Sequence, residues 1–176
     1  MKREIVETLF TCGEKLPAEV AAQIVAHGEA AVAPLVRIIE TSSLQRKGAL
    51  GGGWTPVHAI SLLGEIGSAR ATAPLLACMR QSDQTDLVHR ASKTALGRLG
   101  QVILEPAMAA IAAHEEPAFV EAVSDVLAPI ESTDERLYPL MLAGLERDPG
   151  RYAAAAARFE NTSALPALRR AFNRLL

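Results

Sequence analysis

Aromatic residues are nearly missing from this chain: one Trp, two Tyr and four Phe among 176 residues. Enzymes that flip bases out of a duplex stack them on aromatic or apolar faces, so this chain is poorly supplied for that work. Cysteine is as scarce. Cys12 and Cys78 lie far apart with no second pair, which excludes a disulfide framework and leaves two reduced thiols as the expectation. Val, Ile and Thr form no alternating runs, which excludes a sheet as the main element. No unbroken apolar run reaches the roughly 18 residues of a membrane span. The opening MKREIVETLF carries Glu4 and Glu7 and lacks a long apolar stretch, so it does not read as a signal peptide. The expected location is the cytoplasm.

Small side chains fill the place of the rings. Hydrophobic residues make up 49% of the chain, and alanine, the best helix former, supplies much of that share. The chain therefore reads as all-α. Residues 55–113 contain a loose self-copy: Leu63-Gly64 recurs as Leu96-Gly97, Gly67 as Gly100, and Pro74 as Pro106. A period of about 30 residues is the mark of stacked helical repeats.

Taken in order, residues 2–12 predict an amphipathic helix that caps the N-terminal end. Pro17 opens a second helix that Gly28 ends near His27, and a third spans about 29–40. The Gly-rich segment 41–54 reads as an insertion loop, a linker first and a ligand-binding element as the alternative. Four further helix pairs follow: 55–66 with 69–81, 85–98 with 101–113, 117–129 with 134–146, and 149–159 with 162–174. Pro34, Pro74, Pro106, Pro139 and Pro166 each sit in the first turn or so of the second helix of a pair. Deeper in a helix each would cost roughly 3 kcal/mol. One domain over 1–176 is expected, with 1–40 forming the cap and first repeat.

Leu63-Gly64-Glu65-Ile66-Gly67 followed by Ala73-Pro74-Leu75-Leu76 resembles the HEAT-like repeats of short bacterial type, first noted in phycobilin lyases. Leu96-Gly97-Arg98-Leu99-Gly100 with Glu105-Pro106, and Ala26-His27-Gly28 with Ala33-Pro34-Leu35, follow the same pattern more loosely. The resemblance implies an armadillo-like α-solenoid, a right-handed superhelix of about five helix pairs with second helices lining a concave side. It also implies binding more often than catalysis. Deoxyhypusine hydroxylase, an enzymatic relative in architecture, holds iron with His-Glu dipeptides at the start of first helices. Val57-His58 and Arg90-Ala91 stand at those places here, and the one His-Glu pair, His114-Glu115, falls at a helix end.

Four histidines offer the remaining candidate chemistry. His58 should face its neighbours in the stack, His89 should be more exposed, and His27 should serve a helix C-terminus. They are not expected to converge on a metal. Gly51-Gly52-Gly53-Trp54 lacks the Lys and Ser/Thr that a phosphate loop needs. Charge is uneven. Residues 101–135 carry eight acids and no Lys or Arg, whereas seven Arg face three acids from Arg136 onward. This block either steers a basic partner or is neutralised by adjacent repeats.

Counting three and four residues on from each proline predicts the concave surface: Arg37, Ala77, Ala109, Leu142 and Arg169, then Ile38, Cys78, Ala110, Ala143 and Arg170. With Trp54 as an anchor at its mouth, this trough suits the apolar stripe of a partner helix or an extended peptide, and its arginines suit carboxylates. The expectation is thus a scaffold that binds another protein, with no catalytic residue, cofactor or metal. No membrane partner is expected. Nucleic acid is a weaker alternative, resting on Arg147, Arg151, Arg158, Arg169, Arg170 and Arg174. A half-site subunit of a lyase-type enzyme and a homodimer joined by opposite charges on the third and fifth repeats are further alternatives.

Overall fold

A computed structural model describes residues 7–45, 48–114 and 116–159, together with Pro166, Arg170 and Asn173. The fold is all-helical, with no strand among the described residues. Its α-helices are α1 (Ala18–Ala26), α2 (Glu29–Glu40), α3 (Trp54–Ile66), α4 (Thr72–Gln81), α5 (Leu87–Leu99), α6 (Leu104–Ala113), α7 (Pro117–Leu127), α8 (Tyr138–Arg147) and α9 (Pro149–Ala157). Residues 7–9 are helical, while most of the N-terminal helix expected over 2–12 lies outside the described residues. So does the helix expected over 162–174, apart from three positions.

Four of the five prolines share a local setting that spacing alone did not supply, while the residues around Pro166 lie outside those described. Helices α4, α6 and α8 are each preceded by a tighter 3-10 turn: Ala69–Ala71, Gly100–Ile103 and Glu135–Leu137. Pro74, Pro106 and Pro139 sit two or three residues into the α-helix that follows, so the carbonyl four residues back belongs to the lead-in turn. The ring clash of an interior proline is eased there. Pro34 departs from the expectation: it stands inside α2 rather than in its first turn. Yet Ala31 N–H bonds Gly28 C=O three residues back, so α2 also begins with a tight turn, at the same distance before its proline.

The chain divides into two compact units, Met1–Ala110 and Ile111–Leu176. In the first, α3 packs against α5, and α1 packs against α3. The second helices do likewise, α2 against α4. Each second helix also packs on the next first helix, α2 on α3 and α4 on α5. Leu9, Ile24, Leu35, Ile39, Ile60, Leu62, Leu63, Leu75, Met79 and Leu96 are fully buried between them. Gly64 lets α3 and α5 approach closely. A Cβ there would lie 2.8 Å from Ala95 Cα.

In the second unit α8 packs against α7 and α9. Phe119, Val123, Leu127, Leu137, Met141, Leu145 and Tyr152 form its core. Arg158 donates to the carbonyls of Ala128 (3.1 Å) and Ile130 (2.5 Å), satisfying acceptors beyond the end of α7.

The first unit contains two polar exceptions. Thr72 Oγ1 and Ser92 Oγ are buried and make no hydrogen bond. An orphaned buried hydroxyl costs about 1–3 kcal/mol, and alanine is the better helix former. Ser92→Ala should therefore raise the unfolding free energy by about 1 kcal/mol. Urea denaturation followed by tryptophan fluorescence checks this, and a loss of stability would show that the hydroxyl is satisfied after all.

Residues Leu87–Ala113, which include α5, a 3-10 turn and α6, are long and apolar enough to cross a membrane by length and composition, with mean hydropathy 1.2 in the relevant window. The unbroken-run criterion passes over this stretch because charged residues interrupt it. Its helix is broken at Gly100, whose φ of 65° and ψ of −139° only glycine adopts readily.

Candidate functional site

Helices α2 and α4 lie side by side in the first unit. Their buried residues recur at helical spacing (Ala31, Val32, Leu35, Ile38 and Ile39; Leu75, Leu76, Cys78 and Met79) and face the core. The opposite faces expose Ala30, Ala33, Arg37 and Glu40 on α2, and Ala73, Ala77 and Arg80 on α4. Arg37 and Ala77, three residues on from their prolines, are thus exposed. Ile38 and Cys78, one residue further, are not. They turn into the core because one step along a helix rotates the side chain by about 100°. The Cys78 thiol contacts Ile39 C=O at 3.7 Å. Burial, and secondarily the Glu40 carboxylate, pushes it up to about 11, so it is no nucleophile near neutral pH. Burial also raises the Cys12 thiol.

Ala109 is exposed on α6 and Ala110 is half-buried. In the second unit Leu142 is half-buried and Ala143 exposed, both on α8. Arg170 is exposed and reaches Glu146 at 3.5 Å. Arg169 lies outside the described residues.

Trp54 is half-buried at the first position of α3. Its ring stacks on His58 with centroids 6.2 Å apart and planes 25° from parallel. His58 is buried, as its place in the repeat predicts, and its Nε2–H donates to Gly13 C=O at 2.7 Å. His89 overturns its expectation. It is 5% exposed, and its Nδ1–H donates to Met79 C=O at 3.0 Å. Because α5 starts only two residues earlier, His89 sits against the last turn of α4 and satisfies a carbonyl with no helical partner. Both rings therefore serve packing. No group of three or more His, Cys, Asp or Glu able to hold a metal occurs among the described residues.

Beside Trp54 opens a cleft of about 360 Å³, lined by Gly52, Gly53, Trp54, Val57, Gln81, Ser82, Asp86, Leu87 and Val88. Sequence reasoning singled out Trp54 alone. The other walls come from the end of α4 and the start of α5, and only a tryptophan set directly after three glycines hinted at a built corner. The described residues of the segment 41–54 include local helical structure. The segment holds 3-10 turns at Ser42–Gln45 and Leu50–Gly53, and both rest on α3. Thr55 Oγ1–H ties it to the N-terminal segment through Leu9 C=O at 2.9 Å.

Three of the eight acids of the acidic block pair with arginines of the second unit. Glu121 pairs with Arg147 at 2.9 Å, Asp125 with Arg151 at 2.8 Å and with Arg147 at 3.3 Å, and Asp134 with Arg136 at 2.6 Å. Arg147, Arg151, Arg158 and Arg170 are each held by a carboxylate or a carbonyl. No protein-family model matches the chain, and no curated protein matches it. The reading of function therefore rests on these surfaces alone.

Proposed function

We propose that this chain is a non-catalytic scaffold of the HEAT-like type, and that its first unit holds another protein on the outer faces of α2 and α4. The observation that carries the reading is the pairing of those two faces. Ala30 and Ala33 on one helix and Ala73 and Ala77 on its neighbour leave a low apolar floor beside Arg37. Such a floor admits the apolar stripe of a helix or an extended peptide, with Arg37 available for a carboxylate.

The solenoid reading draws support from the order of contacts. In the first unit the first helices α1, α3 and α5 neighbour one another in turn and the second helix α2 neighbours α4, which is how stacked repeats share a core. Glu65 and Arg98 hold the same place in the two Leu-Gly repeats and pair across α3 and α5 at 3.6 Å. The right-handed superhelical course and the cytoplasmic setting belong to the same proposal. The intramolecular engagement of Arg147, Arg151, Arg158 and Arg170 weighs toward a protein partner rather than nucleic acid.

The test is affinity capture with the native chain and with Ala33→Glu/Ala77→Glu, both positions being exposed. A protein retained by the first and reduced at least tenfold by the second supports the reading. An unchanged set of captured proteins, with the variant's circular dichroism intact, ends it.

A further inference from the structure

The cleft beside Trp54 has a specific chemical character. One wall is the indole, and Val57, Leu87 and Val88 supply apolar surface. Gln81 and Ser82 bring the C-terminal end of α4, the partially negative end of the helix dipole. Among the described residues Asp86 is the one charged residue of the lining, and no described cation lines the cleft.

Asp86 stands at the N-cap position of α5, yet its side chain accepts no capping hydrogen bond. Aspartates in comparable places elsewhere in the chain do accept one. Asp134 takes Arg136 N–H at 3.0 Å and Asp148 takes Arg151 N–H at 3.1 Å. The Asp86 carboxylate thus faces the cleft uncommitted to its own helix. It makes no ion pair among the described residues.

The indole is fixed in place by an unusual backbone. Gly51, Gly52 and Gly53 have φ of 72°, 64° and 85°, three left-handed residues in succession. Any other residue would cost roughly 1–2 kcal/mol at each position. Gly51 has no room for a side chain either, since a Cβ would lie 2.6 Å from Thr55 Oγ1. This hook ends on Trp54, and the ring is backed by His58, itself bonded to Gly13.

We infer that the Trp54 cleft takes an arginine side chain presented by the partner protein, with the guanidinium against the indole and the Asp86 carboxylate. An arginine stem matches the aliphatic wall, and its planar, weakly hydrated head stacks on a ring and forks onto a carboxylate. An anion would meet Asp86 with like charge. A purely apolar group would strip that carboxylate of water without pairing it. The source of the arginine rests on the protein-partner reading above; the chemistry of the cleft does not.

Trp54 is the single tryptophan of the chain, so its fluorescence reports the cleft directly. The full chain is titrated at constant ionic strength with N-acetyl-arginine-N-methylamide and with its neutral isostere, the citrulline analogue. A saturable change with the arginine compound, at least tenfold weaker with citrulline and at least fivefold weaker in Asp86→Asn, is the expected result. Asparagine caps helices as well as aspartate, so this variant keeps its fold. No saturable change, or an equal response to both compounds, overturns the inference. That failure leaves the Ala33/Ala77 capture result standing. Saturable, Asp86-dependent binding supports the cleft assignment even if capture finds no partner.

Discussion

Gly64→Val is expected to destabilise the first unit by roughly 2–3 kcal/mol, whereas Gly97→Ala, at the same place in the next repeat, should stabilise it by roughly 0.5–1 kcal/mol. The two glycines look alike in the sequence, each following a leucine near the end of a first helix. Their surroundings differ. A side chain at Gly64 would press on Ala95 Cα at 2.8 Å and Cβ at 2.9 Å, so α5 itself would have to retreat. Backbone that is held on both sides gives way at a high cost. Gly97 is exposed, and a Cβ there would meet nothing within 4 Å, so alanine only removes backbone freedom from the unfolded chain. Trp54 fluorescence in urea follows the first unit. Equal effects at the two positions would show that α3 and α5 do not meet at Gly64.

In the second unit, Gly144→Ala should cost at least about 3 kcal/mol, a large share of the stability of so small a core. A Cβ at Gly144 would overlap the ring of Tyr152 at three of its atoms. The ring cannot step aside. Tyr152 is 0% exposed, its hydroxyl donates to Asp125 Oδ1 at 2.5 Å, and Arg147 donates to the phenol oxygen at 3.1 Å. Arg151 holds the second oxygen of the same carboxylate. Amide exchange across Tyr138–Arg147 and Pro149–Ala157 should accelerate in the variant. Adding Tyr152→Leu should make the glycine substitution less costly, because the clash and the anchor are one interaction.

The same anchor carries a pH dependence. Burial first, and then the hydrogen bond to Asp125, raise the Tyr152 phenol above its ordinary value. A group raised in the folded state contributes stability that is complete below its unfolded pKa of about 10 and fades as pH climbs toward the folded one. The second unit should therefore hold from neutral pH to about 10 and weaken beyond it, and Tyr152→Phe should flatten that decline.

Helix periodicity and proline spacing made the all-helical fold legible, and α2 falls where the sequence placed it. The lead-in turns were not legible, because a 3-10 turn differs from an α-turn in which carbonyl is bonded, not in which residues are apolar. His89 was misread for a related reason. Counting along one helix locates a side chain on that helix, but the end of α4 that covers His89 belongs to another. Of the positions counted from the prolines of α2 and α4, those three residues on are exposed and those four on are closed by the core. Asp86, Gln81 and Leu87 were missed as neighbours of Trp54 because nothing in a linear pattern joins the mouth of one helix to the ends of two others.

What the amino-acid order determined by itself was everything that depends on neighbours three or four residues away: helices, their breaks, and a repeating apolar face. What only the tertiary structure decided was which equal-looking residues meet. Gly64 is crowded while Gly97 is free, and Asp125 is locked to two arginines while Asp86 faces an open cleft. Distances between helices set those differences, and a helix carries no record in its own sequence of how closely another will approach.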